Sequence, residues 1–80
     1  MQFTLITPTR SQVYILNWIE VQTSIGSFVI QLGHVPTIVT LTPGKEITLG
    51  LEDGTTVSLP VEGGILEVDR NQATLIITHE

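Results

Sequence analysis

Turn-forming residues punctuate this chain about every 8 to 12 residues, and nothing between them repeats with the period of about 3.6 that an amphipathic helix needs. The punctuation is Pro8, Gly26, Gly33-His34-Val35-Pro36, Pro43-Gly44, Asp53-Gly54, Gly63-Gly64 and Asp69-Arg70-Asn71. Proline cannot donate to a ladder and glycine accepts turn backbone, so each cluster ends a strand. The runs between them are β-prone: residues 3–7, 13–22, 28–30, 37–41, 47–51, 57–61, 65–68 and 73–78. Asp53-Gly54 between the alternating Ile47, Leu49, Leu51 and Val57, Leu59, Val61 is a strong hairpin signal. Pro60 marks its strand as an edge or a bulge. The pattern predicts an all-β sandwich or barrel, and 80 residues leave room for one domain, residues 1–80.

The run over residues 13–22 is the ambiguous one. Val13, Ile15, Ile19 and Val21 share one parity, which predicts a strand with those four facing the core. The other parity carries Tyr14, Leu16 and Trp18 before turning polar at Glu20 and Gln22, so both faces of the first half are apolar. In one reading a bulge shifts the register, or the second face closes a small barrel. In the other, Tyr14, Leu16 and Trp18 form an exposed patch that docks on a partner.

Composition removes several function classes. The net charge of -5, with Arg10, Lys45 and Arg70 scattered, excludes a nucleic-acid backbone as partner. The absence of cysteine removes disulfides, a thiolate nucleophile and thiolate metal sites, and fits a reducing compartment. No signal peptide or membrane-spanning run is present, so no direct membrane insertion is expected. Charged residues make up only 14% of the chain, a sparsely charged surface that fits one partly covered in use. His34 lies in a turn and His79 next to the C-terminus, neither with a catalytic neighbour, and no hydrolase elbow, phosphate loop or zinc helix occurs. Glu52 and Asp53 fall short of a calcium loop. No catalytic residue, cofactor or metal site is expected, and His34 reads as a residue that holds its turn by hydrogen bonding.

Two blocks then carry a resemblance. Gly33-His34-Val35-Pro36, six residues, then Pro43-Gly44 resembles the Gly-His-Ala-Pro...Pro-Gly block of the epsilon subunit of F-type ATP synthases. Gly63-Gly64-Ile65-Leu66-Glu67-Val68, followed by Asn71 and the run from Ala73, is similar to that family's Gly-Gly-x-x-Glu-Val...Asn block. Leu5-Ile6-Thr7-Pro8 and Ile25-Gly26-Ser27-Phe28 fit as well, so the resemblance covers essentially the whole chain. Two departures stand out. Phe28-Val29-Ile30-Gln31-Leu32 replaces the family's Phe-Gly-x-Leu-Pro, and Asn17-Trp18 replaces a stretch that commonly contains glycine.

The resemblance implies the N-terminal epsilon domain, a flattened sandwich of two packed sheets with about ten short strands. It implies a non-catalytic rotor subunit of the central stalk that links the gamma subunit to the c-ring and helps couple proton or ion flow to ATP synthesis. It further implies a peripheral position on the cytoplasmic face of the inner membrane, or the organelle equivalent, and a monomer when isolated. By position, Thr7, His34, Val35, Pro36 and Val39 match the gamma-facing side, and Trp18 joins them if its patch is exposed. Ser24, Ile25, Gly26 and Ser27 match the loop that faces the c-ring. Many epsilon subunits continue into a helical hairpin that can bind ATP or brake hydrolysis; nothing here follows Glu80, so neither property is expected of these residues. The rival reading is a free-standing β-sandwich module that binds a protein or glycan.

Overall fold

The computed structural model describes residues 1–23, 26–31, 33, 35–41 and 43–78. Its strands are β1 (Gln2–Ile6), β2 (Ser11–Thr23), β3 (Gly26–Gln31), β4 (Thr37–Leu41), β5 (Lys45–Leu51), β6 (Thr56–Val61), β7 (Gly64–Val68) and β8 (Gln72–Ile77). Each β-prone run of the sequence becomes one strand, and only the ends differ. The expected count of about ten is corrected to eight among the described residues, with β2 running unbroken for 13 residues and serving both sheets.

Two sheets share that strand. The first has the order β4-β7-β8-β1-β2. Within it β1 and β8 run parallel, which joins the two ends of the chain side by side, and every other pair is antiparallel. The second sheet sets β3 and β5 beside the later part of β2, with β6 outside β5. Pro60 lies on β6, which pairs only with β5 among the described strands, as a residue without an N–H requires.

One core fills the space between the sheets. Phe3, Leu5, Leu66, Val68, Ala73 and Leu75 come from the first, and Ile19, Val21, Ile30, Ile47, Leu49 and Val61 from the second. Among the described residues no polar side chain is buried, so nothing inside needs a hydrogen-bond partner to offset its desolvation.

The sharing depends on a bulge. Leu16 pairs with Leu51 and Trp18 with Gly50, so Asn17 is the extra residue that the partner strand does not match. Ahead of it Tyr14 and Leu16 face inward; after it Ile19 and Val21 do. The single parity read from the sequence therefore holds only after the bulge. Leu16 is 1% exposed, while Val13 and Ile15 are 58% and 50% exposed, the reverse of the expected assignment. Backbone bonds hold the bend on both sides: Leu16 exchanges two 2.8 Å bonds with Met1, and the Ile15 carbonyl accepts the Glu52 N–H at 3.2 Å. A straight strand of this length would reach about 40 Å, against a longest molecular extent of 30 Å, and the bend at Asn17 brings it within bounds.

The β5–β6 hairpin turns as its Asp-Gly pair predicts. Gly54 has φ of +92°, a conformation costly for other residues. Asp53 Oδ1 accepts from the Thr55 hydroxyl at 2.6 Å and the Thr55 N–H at 2.9 Å. Those bonds, the hydroxyl first, hold the Asp53 carboxyl below the usual aspartate range. Because the folded pKa is depressed, the turn's stabilisation is present above the unfolded pKa and is lost as pH falls through the folded one. An NMR titration should show Asp53 ionising at lower pH than in the unfolded chain, and Thr55→Val should raise that midpoint.

The inverted parity is directly testable by urea unfolding. Leu16→Ala should lower the unfolding free energy by about 2–5 kcal/mol, whereas Val13→Ala should change it by less than about 0.5 kcal/mol.

Candidate functional site

The outer faces of the two sheets differ in chemistry. On the second sheet the outward row Val29, Glu20, Thr48 and Ser58 is mostly polar, and the next, Ser27, Gln22, Glu46 and Pro60, wholly lacks large aliphatics. On the first sheet one outward row reads Thr40, Ile65, Ile76, Ile6 and Ser11, and the next Ile38, Glu67, Thr74, Thr4 and Val13. Ile15 stands beside Gln2 in a third. Of the nine exposed large apolar side chains among the described residues, six lie on this one face, with Ile38 the most open at 72%.

Five strands about 4.8 Å apart and five residues deep make a face of roughly 20 by 15 Å, about 300 Å² in projection. Six of the twelve outward side chains in these rows are aliphatic and six are polar, so the aliphatic groups form a stripe across the face, and their gathering on one side makes it the candidate contact surface. Within the face β7, β8 and β1 are bonded on both sides and β4 is the edge strand, and the inner side of the sheet is the core itself.

The residues singled out by resemblance are spread over the molecule. Val35, 61% exposed, and Pro36 come together just ahead of β4, at the border of the apolar face. Thr7 follows β1, separated from β4 by β8 and β7. Its hydroxyl is engaged in its own turn, donating to the Arg10 carbonyl and accepting the Arg10 N–H, both at 3.2 Å. Val39 is half-buried against the core. His34 lies outside the described residues, as do Ser24, Ile25 and His79. Gly26 and Ser27 open β3, exposed, and the Thr23 hydroxyl donates to the Gly26 carbonyl at 2.8 Å across the hairpin. Gly33, with φ of +88°, donates its N–H to the Arg70 carbonyl at 2.8 Å, which ties the turn before β4 to the turn between β7 and β8.

The expected patch of Tyr14, Leu16 and Trp18 does not exist as one surface. The bulge divides it: Leu16 is core, Tyr14 is half-buried with its ring 6.2 Å from that of Phe3, and Trp18 faces outward on the second sheet. There its indole lies across Gly50, whose missing side chain makes the space; a Cβ built on Gly50 would clash with the ring. Ile6, Ile38, Ile65 and Ile76 had no place in the expected site. Their signal was present as strands apolar on both parities, a feature read only in β2. Among the described residues no group of three or more His, Asp or Glu gathers as metal ligands. No helix among them is long and apolar enough to cross a membrane.

Comparison with known proteins bears on this arrangement. Residues 1–79 match the model of the ATP synthase delta/epsilon chain β-sandwich domain. The chain belongs to that family. The ATP synthase epsilon chain of Paracoccus denitrificans (strain Pd 1222) is 32% identical over 77 residues, which cover 95% of this chain and 51% of that protein. The chain thus spans about half the length of that curated relative. A chain in the cryo-EM structure of the Euglena gracilis mitochondrial ATP synthase, OSCP/F1/c-ring, superposes with a TM-score of 0.80 at 20% identity, covering 94% of this chain and 48% of that one. A chain of the Tetrahymena thermophila mitochondrial ATP synthase central stalk and c-ring gives 0.79 at 20%, covering 98% and 63%. At that identity the two likenesses show the delta/epsilon sandwich fold.

Within this delta/epsilon domain the Trp18–Gly50 contact fastens β2 to β5 from outside. Gly50→Ala should displace the indole, lower stability by about 1–3 kcal/mol and change Trp18 fluorescence, the only tryptophan signal in the chain.

Proposed function

We propose that this domain is a non-catalytic rotor element of the central stalk of an F-type ATP synthase, linking the gamma subunit to the c-ring. The observation that carries the reading is the apolar outer face of the β4-β7-β8-β1-β2 sheet, in a chain whose family is that of the delta and epsilon subunits. Gamma docks on this face, with Val35 and Pro36 at its border. Thr7 contributes at the turn after β1 and His34 as the sequence neighbour of Val35, while Val39 and Trp18 act through the packing beneath and behind. The β2–β3 connection, to which Ser24, Ile25, Gly26 and Ser27 belong in sequence, meets the c-ring, which makes the domain peripheral to the membrane.

The action is mechanical. Torque passes through a domain only if its two contacts are joined by stiff material, and here they are joined by one strand. β2 begins in the apolar-faced sheet and ends at the hairpin tip, and its ladder bonds to β1, β3 and β5 resist shear along its length. No proton transfer or bound cofactor enters, and the coupling strength follows from how much surface each contact buries. Family membership favours this reading over a free-standing protein- or glycan-binding module.

Replacing Ile6, Ile65 and Ile76 together with Thr keeps β propensity while removing the apolar stripe. The variant should retain the wild-type circular dichroism and cooperative melting but bind the gamma subunit at least about tenfold more weakly. Unchanged gamma binding by the folded variant would move the docking surface elsewhere.

A further inference from the structure

The apolar face carries one charged side chain among its described strand residues, and its position is informative. Glu67 stands on β7 between Ile38 of β4 and Thr74 of β8, with Ile65 two residues before it on the same side. It is one strand in from the edge, so a partner that covers the face covers Glu67 as well. Beside it Pro36, Thr37, Ile38, Glu67, Val68 and Asp69 line a shallow depression of about 510 Å³. The carboxylate pairs with no described side chain. The three basic residues of the chain sit elsewhere: Arg10 in the β1–β2 turn, Lys45 at the start of β5 and Arg70 in the β7–β8 turn.

A carboxylate removed from water against an aliphatic surface is strongly unfavourable unless a cation meets it. A second copy of this chain does not supply one. A two-fold contact across the same face would bring together two chains of net charge -5 and bury both Glu67 side chains with no basic residue on the face to neutralise them. The occupant that fits is a different surface, with apolar groups to meet the aliphatic stripe and a basic group at one point.

Resting on the docking reading above, we propose that the partner presents a single Arg or Lys to Glu67, its aliphatic stem lying in the depression along Pro36 and Ile38. Long basic side chains pack their stems on apolar surface in this way while the charged head reaches its partner. The apolar stripe then supplies the contact area, and Glu67 fixes the register in which the partner lands. A shift of the partner by one strand would strand both charges.

The test compares variants of the full chain in titration calorimetry against the gamma subunit of the same ATP synthase, with sedimentation of the chain alone as a control for self-association. Glu67→Gln keeps size and shape and should weaken binding by about tenfold or more. Glu67→Lys should abolish binding, and a Lys or Arg to Glu change at one position of gamma should restore it in that background alone. Binding that is unchanged or tighter with Glu67→Gln, while Ile65→Thr weakens it, would overturn the charge pairing and leave the docking face standing. If neither substitution alters binding, the docking face falls and the pairing with it. A wild-type chain that sediments as a dimer dissociated by Ile65→Thr would assign the face to a second copy and overturn the proposal.

Discussion

The extra residue at Asn17 is the constraint on which the rest of the molecule depends. A strand has a side-chain period of two, so inserting one unpaired residue turns every later side chain to the other side. In β2 this lets Leu16 and Ile19, three apart, both face the same core, and lets one 13-residue strand line two sheets. Without the bulge, a strand that buried Ile19 and Val21 would also bury Val13 and Ile15 and would drive Leu16 and Tyr14 into water. The first sheet would then lose its outer apolar residues on β2, and the core would lose one of its largest members.

The same inversion explains what could be read from the sequence and what could not. Turn chemistry and alternation located all eight strands, since Pro8, Pro43-Gly44, Asp53-Gly54 and Gly63-Gly64 act locally and need no partner. The side each β2 residue faces is not local: it depends on the pairing of Leu16 with Leu51 and Trp18 with Gly50, across more than thirty intervening residues. The doubled apolar parity of residues 13–18 was legible, but its resolution was not. The parallel pairing of β1 with β8 was equally hidden, because no turn links them. The apolar face suffered most. Ile6, Ile38, Ile65 and Ile76 come from four different strands, and only the order β4-β7-β8-β1 makes them neighbours. Of the family motifs, the block from Gly63 to Val68 puts Ile65 and Glu67 on this face, while Val35 and Pro36 stand only at its border, so the motifs identified the family better than they located the whole surface.

The two outer faces give the sandwich a direction. One is apolar with a single carboxylate, the other polar with a single indole laid over Gly50. A small domain gains little from leaving six aliphatic side chains in water, and a chain of this length has a thin core with modest stability to spare. The arrangement is reasonable for a domain that spends its life against a partner, where those side chains are covered and the polar side remains in solvent. β2 joins the two proposed contacts through continuous backbone, so the bulge that makes the core possible also lies on the load path between them.

The most direct measurement is hydroxyl-radical footprinting of the chain in the assembled ATP synthase compared with the chain alone. The expected result is that Ile38, Ile65, Ile76 and Val13 lose most of their labelling on assembly, while labelling of Val29, outward on the second sheet, is little changed. Labelling of the four first-sheet residues that stays at the level of the free chain in an intact, coupled complex would contradict the assignment of that face as the docking surface.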